Sequence, residues 1–334
     1  MKEERILRAM TEIDAQLIQA HDPALAEKSA KPRKHCSLRT ALTAAAVAAC
    51  LLVTTAFAAK VTGLDRRLLE FLGAGEQEQA EALIAGAQVV DKTVRDAGSS
   101  LTVREVLGDR NNIYILLNFT APEGTALNAY DYRFSGGSNL TFDARDGWHF
   151  SDYTKLEDAD SGDNSLDLVL KVTTDGISTD GTMTMELTNL EGAAGYGEPY
   201  IPLGLPGTWK VSFPLEYIDC SRTRTGLREP VTLYGQDAAV TEISVSPLSV
   251  TVKGDGKKLL EAMDANWAAG EKGLFPVTLR FRDGTCLTTS REAGDKGSTV
   301  MPDKEFYTNW TFHKVIDPEQ VESIEFFGVS IPVG

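Results

Sequence analysis

The densest set of ligand-type oxygens in the chain lies in DGWHFSDYTKLEDADSGDNSLD, where Asp146, Asp152, Asp158, Asp160, Asp163 and Asp167 crowd together. Carboxylates are hard donors, and a loop presenting several of them suits calcium. Read from Asp158, however, the calcium-loop template fails. Gly162 stands where a ligand belongs, Asp163 where the turn glycine belongs and Val169 where the closing glutamate belongs. The segment reads as a solvated acidic loop, and no metal or other cofactor is expected.

The same C-terminal part holds His149 and His313, each beside strand aromatics (Trp148 and Phe150; Phe312). That setting describes packed or edge-lying imidazoles rather than a general base. No Ser–His–Asp order, nucleophile elbow, phosphate loop or paired carboxylate stands out, so no catalytic residue is assigned and no enzyme is expected. Cys36 and Cys50 lie in or beside an apolar run, while Cys220 and Cys286 suit either one disulfide or two separate thiols. His35-Cys36 has no companion ligands at zinc spacing. Asn118, Asn139 and Asn309 carry the glycosylation acceptor pattern, yet Asn118 falls inside a predicted strand. Trp209, Trp267 and Trp310 read as core aromatics, with an aromatic carbohydrate platform as the alternative.

The elements around these residues divide the chain. In KPRKHCSLRTALTAAAVAACLLVTTAFAAK, a basic cluster runs into an uncharged stretch, 40–59, closed by Lys60. As a helix this stretch spans about 30 Å, the thickness of a bilayer's hydrocarbon core. The rival reading is a signal peptide cut after Ala56-Phe57-Ala58, but such peptides run to roughly 15–30 residues, far fewer than precede this site. A retained transmembrane helix is expected. Lys28, Lys31, Arg33, Lys34 and Arg39 on one flank, against Lys60, Arg66 and Arg67 on the other, place residues 1–39 in the cytoplasm and the body outside the cell.

Charge divides along the same line. The first 39 residues carry eight Lys/Arg against six Asp/Glu, and the remainder 25 against 42. An acidic body is repelled by nucleic acid and by anionic headgroups, so no nucleic-acid partner is expected.

Residues 2–20 form an amphipathic pattern in which Ile6, Met10, Ile13 and Leu17 make one narrow stripe, stopped at Asp22-Pro23. One short helix cannot bury its own stripe, which needs a partner protein, a second copy or a membrane surface, and these four residues are the expected partner-binding site. After the anchor, residues 60–87 carry two short helical patterns broken at Gly73–Gly75 and read as a helical stalk. From residue 88 the period becomes two. SLTVREV, NIYILLNFT, SLDLVLKVTT, TMTMELTNL and TWKVSFPLEYI are strands of an antiparallel sandwich over 88–219. CSRTRTGLRE, 220–229, reads as a linker. Residues 230–334 form a second, smaller β domain with one short helix, on which Leu259, Met263 and Trp267 share a face, and an Asp283-Gly284 hairpin. The expected fold is therefore mainly β, two sandwiches behind a stalk and a single span.

The order KEERILRAMTEIDAQLI, anchor, DRRLLEFLGAG, VVDKTVRDAGSSLTVREVLGDRNNIYILLNFTAPEGT, VTEISVSPLSVTV and DPEQVESIEFFGVSIPV resembles domain-of-unknown-function family 4179, membrane proteins of low-GC Gram-positive bacteria. The resemblance implies immunoglobulin-like exported domains and an anti-sigma-like or signal-relay role, with an extracytoplasmic-function sigma factor or another cytoplasmic regulator as the partner. The chain departs from many anti-sigma domains in lacking their H-x-x-x-C-x-x-C zinc motif, and 39 residues are too few for a whole domain of that kind. Three readings follow: a membrane-anchored regulator, an envelope scaffold or adhesion module, and, least favoured, an exported enzyme.

Overall fold

In β2, Ser99–Gly108, Leu101 and Val103 point into a core, and then the phase changes. A bulge between Val103 and Glu105 sets an extra residue against β3 (Asn112–Thr120), so Val106 rejoins that core while Leu107 joins a second one. Strand β3 is apolar on both sides because both sides are covered. Ile113, Ile115, Leu117 and Phe119 enter the first core, and Tyr114 and Leu116 enter the other. The computed structural model to which these strands belong describes residues 64–334, apart from 75–76, 85, 143–148, 158–159, 161, 177–180, 269–274 and 301–303.

The fold is mainly β and antiparallel. With β1 (Ala87–Asp96), β5 (His149–Lys155) and β6 (Ser165–Thr174), the first sheet runs β1-β2-β3-β6-β5. It faces a sheet of β4 (Asp131–Phe142), β7 (Thr182–Ala193) and β8 (Ile201–Pro214), ordered β4-β7-β8. Between them Trp209 lies edge-on to Phe119, ring centroids 5.1 Å apart, and to Phe134 at 5.8 Å. Gly207 makes room for the indole, since a Cβ there would come within 2.7 Å of it.

The second core is built likewise. One sheet consists of β9 (Arg222–Leu233), β10 (Gln236–Val245), β11 (Ser249–Gly256), β14 (Lys296–Val300) and β15 (Glu305–Thr311), in the order β14-β15-β11-β10-β9. The other is formed by β12 (Thr278–Phe281), β13 (Cys286–Thr288), β16 (Val321–Phe326) and β17 (Val329–Pro332), in the order β13-β12-β16-β17. Phe275, Phe306 and Phe326 pack at its centre.

Side chains close one edge of each sandwich. Gln88 and Lys92 of β1 donate to the Pro214 and Ser212 carbonyls of β8, and Asp96 accepts the Thr208 N–H. In the second sandwich, Arg224 of β9 donates to the Pro332 carbonyl and Arg222 to the carbonyls of Pro318, Val321 and Gly334. Backbone groups that an edge strand would leave open are thereby satisfied.

Two expectations are corrected here. Residues 222–229 are not linker but the start of β9, whose alternate polar residues face outward or reach across to β17. Residues 60–87 do not form a free-standing stalk where they are described. Helices α1 (Arg66–Phe71) and α2 (Gln77–Ile84) place Leu68, Leu69, Leu72 and Leu83 against Leu107, Tyr114, Leu116 and Val169 on the outer face of the first sheet. The short helix α3 (Leu259–Ala268) occurs where expected and buries Leu259. The amphipathic segment 2–20 and the span 40–59 lie outside the described residues. Among the described residues no helix is long and apolar enough to cross a membrane.

Candidate functional site at the seam between the sandwiches

Asp109 begins the tight turn from β2 to β3 and is buried. Its Oδ1 accepts the backbone N–H groups of Asn111 at 2.8 Å and Asn112 at 2.7 Å, which fixes its own turn. Its Oδ2 points into the second sandwich and accepts the hydroxyls of Ser246 at 2.5 Å and Ser249 at 2.7 Å. Those serines begin and end the turn from β10 to β11, where Ser246 Oγ also accepts the N–H groups of Leu248 and Ser249. One carboxylate thus organises two turns from two domains. The Tyr217 hydroxyl donates to the Asp109 carbonyl from the chain that leads out of the first sandwich.

The rest of the seam follows from strand alternation. In β15, Phe306 and Trp310 point into the second core, leaving Tyr307 and Thr311 to face the first sandwich. Tyr307 donates to the Thr174 carbonyl at 2.8 Å, and Lys171 of β6 donates to Thr311 Oγ1 at 3.0 Å. Lys253 donates to the Asp175 carbonyl at 2.6 Å. Glu242 lies 3.1 Å from Lys253 and 3.6 Å from Arg110 of the first sandwich. Burial pushes the Tyr114 and Tyr307 hydroxyls far above the usual tyrosine range. Burial, then the neighbouring Lys296 charge, pulls Lys171 down to about 8.

Helix α1 is bound into the same structure. Asp65 caps it by accepting the Arg67 N–H. Its carboxylate also pairs with the Arg67 and Arg104 guanidinium groups at 2.8 and 3.1 Å, and Arg67 reaches Asp167 at 2.7 Å. The hydrogen bond from Arg67, foremost, holds the Asp65 carboxyl below its ordinary value. The Asp65 N–H donates to both oxygens of Glu105, whose own carboxyl is raised by burial. Leu248 and Val315 of the second sandwich share a cluster with Leu68, Leu69 and Leu72. Gly73, at φ +77°, lies so close to the His313 carbonyl that any Cβ would collide with it.

Most residues singled out by type are already engaged. Asp160 and Asp163 accept the Gly162 and Ser165 N–H groups of their own loop, and Asp167 is held by Arg67 and Asn118. Asp146 and Asp158 lie outside the described residues. Among the described residues no group of three His, Cys, Asp or Glu is placed to hold a metal ion. His313 Nδ1 lies 2.7 Å from the buried Asp295 carboxylate, the geometry that orients a base in a triad. Among the described residues, no hydroxyl or thiol hydrogen-bonds the ring. Cys220 and Cys286 are free thiols. Trp209 and Trp310 are core residues, and Asn309 is buried with its amide on Thr251. The partner-binding stripe Ile6, Met10, Ile13 and Leu17 lies outside the described residues.

The seam was not found from sequence. Its signals are GDRNN and VSPLS, which read only as turns, and nothing in them says that the two turns meet. What the arrangement can do is hold position: its carboxylates are occupied as acceptors and ion-pair partners.

No family model and no curated protein matches the chain. Among solved structures, it is similar to the conserved domain protein from Bacillus anthracis, with a TM-score of 0.48 and 13% identity over 71% of this chain and 75% of that one. A likeness this slight assigns no function.

Proposed function

We propose that the chain is a single-pass, anti-sigma-like membrane regulator whose exported pair of immunoglobulin-like sandwiches relays a signal to a short cytoplasmic helix. The observation that carries the reading is the position of α1. It begins at Arg66, just past the expected end of the anchor at residue 59, and it is built into the contact between the two sandwiches. A rearrangement at the seam would displace Asp65 and α1, and a short connection would pass that displacement to the span. The output element is the stripe Ile6, Met10, Ile13 and Leu17, at the spacing of helix-in-groove anchors, with an extracytoplasmic-function sigma factor as its partner. The resemblance of the chain's landmarks to family 4179 supports the same assignment.

A scaffold reading has its own support, since a body closed by buried polar contacts is also what a passive envelope module needs. The experiment that separates the two changes Ile13 to Asp and Leu17 to Asp in the full chain in its own cells. A relay loses partner capture and alters target-gene expression, while export and folding of the body are unchanged. Unaltered expression and capture would leave the scaffold reading in possession.

A further inference from the structure

Trp209 and Trp310 are buried, but two tyrosines, Tyr130 and Tyr196, are exposed. Tyr130 is 59% exposed, Tyr196 93% and Ile201 57%, the largest such values among the exposed apolar side chains save Ile218. They gather at one end of the β4-β7-β8 sheet. The Tyr130 N–H bonds the Ala193 carbonyl, Ile201 pairs with Gly192, and Tyr196 lies on the connection between β7 and β8, where Glu198 closes a turn onto Gly195. Tyr200 joins them and is already fixed. Its hydroxyl donates to Asp131 at 2.5 Å, and the Arg133 guanidinium lies over its ring at 4.3 Å. Arg133 is in turn held by Glu191 at 2.9 Å. The hydrogen bond to Asp131, foremost, raises the Tyr200 hydroxyl to about 12, so it remains a donor at every physiological pH.

We propose that Tyr130, Tyr196, Tyr200 and Ile201 are the centre of a docking surface for a partner protein that presents an apolar pocket inside a basic rim. Tyrosine and arginine are the side chains that concentrate binding energy at protein interfaces, and a ring immobilised beforehand loses little freedom on binding. The rings and Ile201 expose roughly 400 Å², about half of what each side of a standard interface buries, so they suffice as its centre but not as the whole. Charge selects the partner. Asp131, Glu191 and Glu198 lie about the patch, with Asp152 near Tyr200, against Arg133 and against Lys155, whose ammonium donates to the Ala129 carbonyl. This acidic border repels a second copy of the chain and an anionic bilayer, and it complements basic side chains. A small ligand would need a concavity. The inference does not rest on the regulatory reading and holds equally for a scaffold.

The test places the photo-crosslinking residue p-benzoylphenylalanine at Tyr196 of the full chain in its own cells, with the same residue at exposed Val89 on β1 as the control position. The expected result is a covalent adduct to a defined protein, formed from position 196 and not from 89. That protein, purified, should bind the chain in a salt-weakened manner, and Tyr196→Ala and Tyr200→Ala should each reduce affinity about tenfold or more. Because Tyr196 is almost fully exposed, its replacement leaves the melting temperature unchanged, which separates lost contact from lost fold. The proposal is overturned by no adduct above the control, by adducts only to glycan, lipid or a second copy, or by a captured protein that binds Tyr196→Ala as well as the parent.

Discussion

Asp109 in the first sandwich accepts the hydroxyl of Ser246 in the second at 2.5 Å, across 137 residues of chain. The same carboxylate holds its own turn through the Asn111 and Asn112 N–H groups, so the local turn and the domain contact stand or fall together. Asp109→Ala strands these two N–H groups and the Ser246 and Ser249 hydroxyls in a buried place. The expected cost is about 3 kcal/mol or more, since hydrogen bonds to a charged group contribute about 1.5–3 kcal/mol each. Urea unfolding of residues 64–334 should show one transition in the parent and two in Asp109→Ala, as each sandwich melts alone. A single unshifted transition would mean that the carboxylate does not couple the domains.

Helices α1 and α2 behave as part of the body. Leu68 and Leu83 are almost completely buried, and they cover Leu116 and Val169, which would otherwise face water. Residues 88–334 should therefore melt well below residues 64–334 and bind a dye specific for exposed apolar surface. Leu68→Ala within the longer fragment should cost about 2–5 kcal/mol. Equal melting temperatures for the two fragments would restore the stalk.

What could be read in the chain was whatever depends on near neighbours. The nearly unbroken apolar run of NIYILLNFT marks a central strand because both faces of β3 are covered, and the Asp283-Gly284 turn joins β12 to β13 as its dipeptide suggests. The phase change at Arg104 puts Val106 out of step with Leu101 and Val103, and a bulge of one residue leaves no mark in composition. Contacts across long stretches of chain left no local mark. The apolar side of α1 says that it needs a cover, not that the cover is Tyr114 and Leu248. CSRTRTGLRE looks like a linker because its arginines bond backbone carbonyls about a hundred residues away. The exposed tyrosines were invisible for the opposite reason, since exposure of an aromatic is a property of the fold.

Lys171 gives the seam a pH signature. Its folded pKa, about 8, lies below the ordinary lysine value of 10.5, so the unfolded chain binds the proton that the folded chain releases. Stability from this group therefore rises with pH between those values. Lys171→Met removes the cost of a charge held at the seam and should stabilise the body at pH 7 by about 1 kcal/mol, a gain that shrinks towards pH 10. Asp65 works at the other end of the scale. Its depressed carboxyl contributes stability above the usual aspartate value of 3.8, which is lost as pH falls below it. Urea midpoints from pH 3 to 10 for the parent, Lys171→Met and Asp65→Ala would show both windows. A Lys171→Met midpoint with the parent's slope above pH 8 would refute the assignment.

The acidic segment 146–167 should need no calcium. Asp163 and Asp160 serve their own turn, and Asp167 is neutralised by Arg67. Removing divalent ions with a chelator should leave the melting temperature of residues 64–334 within a few degrees. A large fall that calcium reverses would show that the loop is a site after all.

The relay reading makes a mechanical demand, and it falls on the connection between the anchor and α1. If the seam moves Asp65 and Asp65 moves the span, then the residues between them must stay short. About ten glycine and serine residues inserted after Lys60 would behave as a coil some 16–19 Å across, enough to absorb a displacement of a few ångströms. The insertion touches neither the Asp65 ion pairs nor the seam, so the body should fold, melt and reach the cell surface as the parent does. In a relay it silences the cytoplasmic output while leaving the Ile13 stripe able to capture its partner from detergent extracts. In a scaffold it changes nothing, because an anchor that only tethers is indifferent to slack. The comparison to make is target-gene expression in cells carrying the parent, the insertion and Ile13→Asp. Insertion and Ile13→Asp with the same phenotype, and opposite results in partner capture, would place the break in transmission rather than in output. Normal expression with the insertion would leave the body and the inner helix as two separate devices on one anchor.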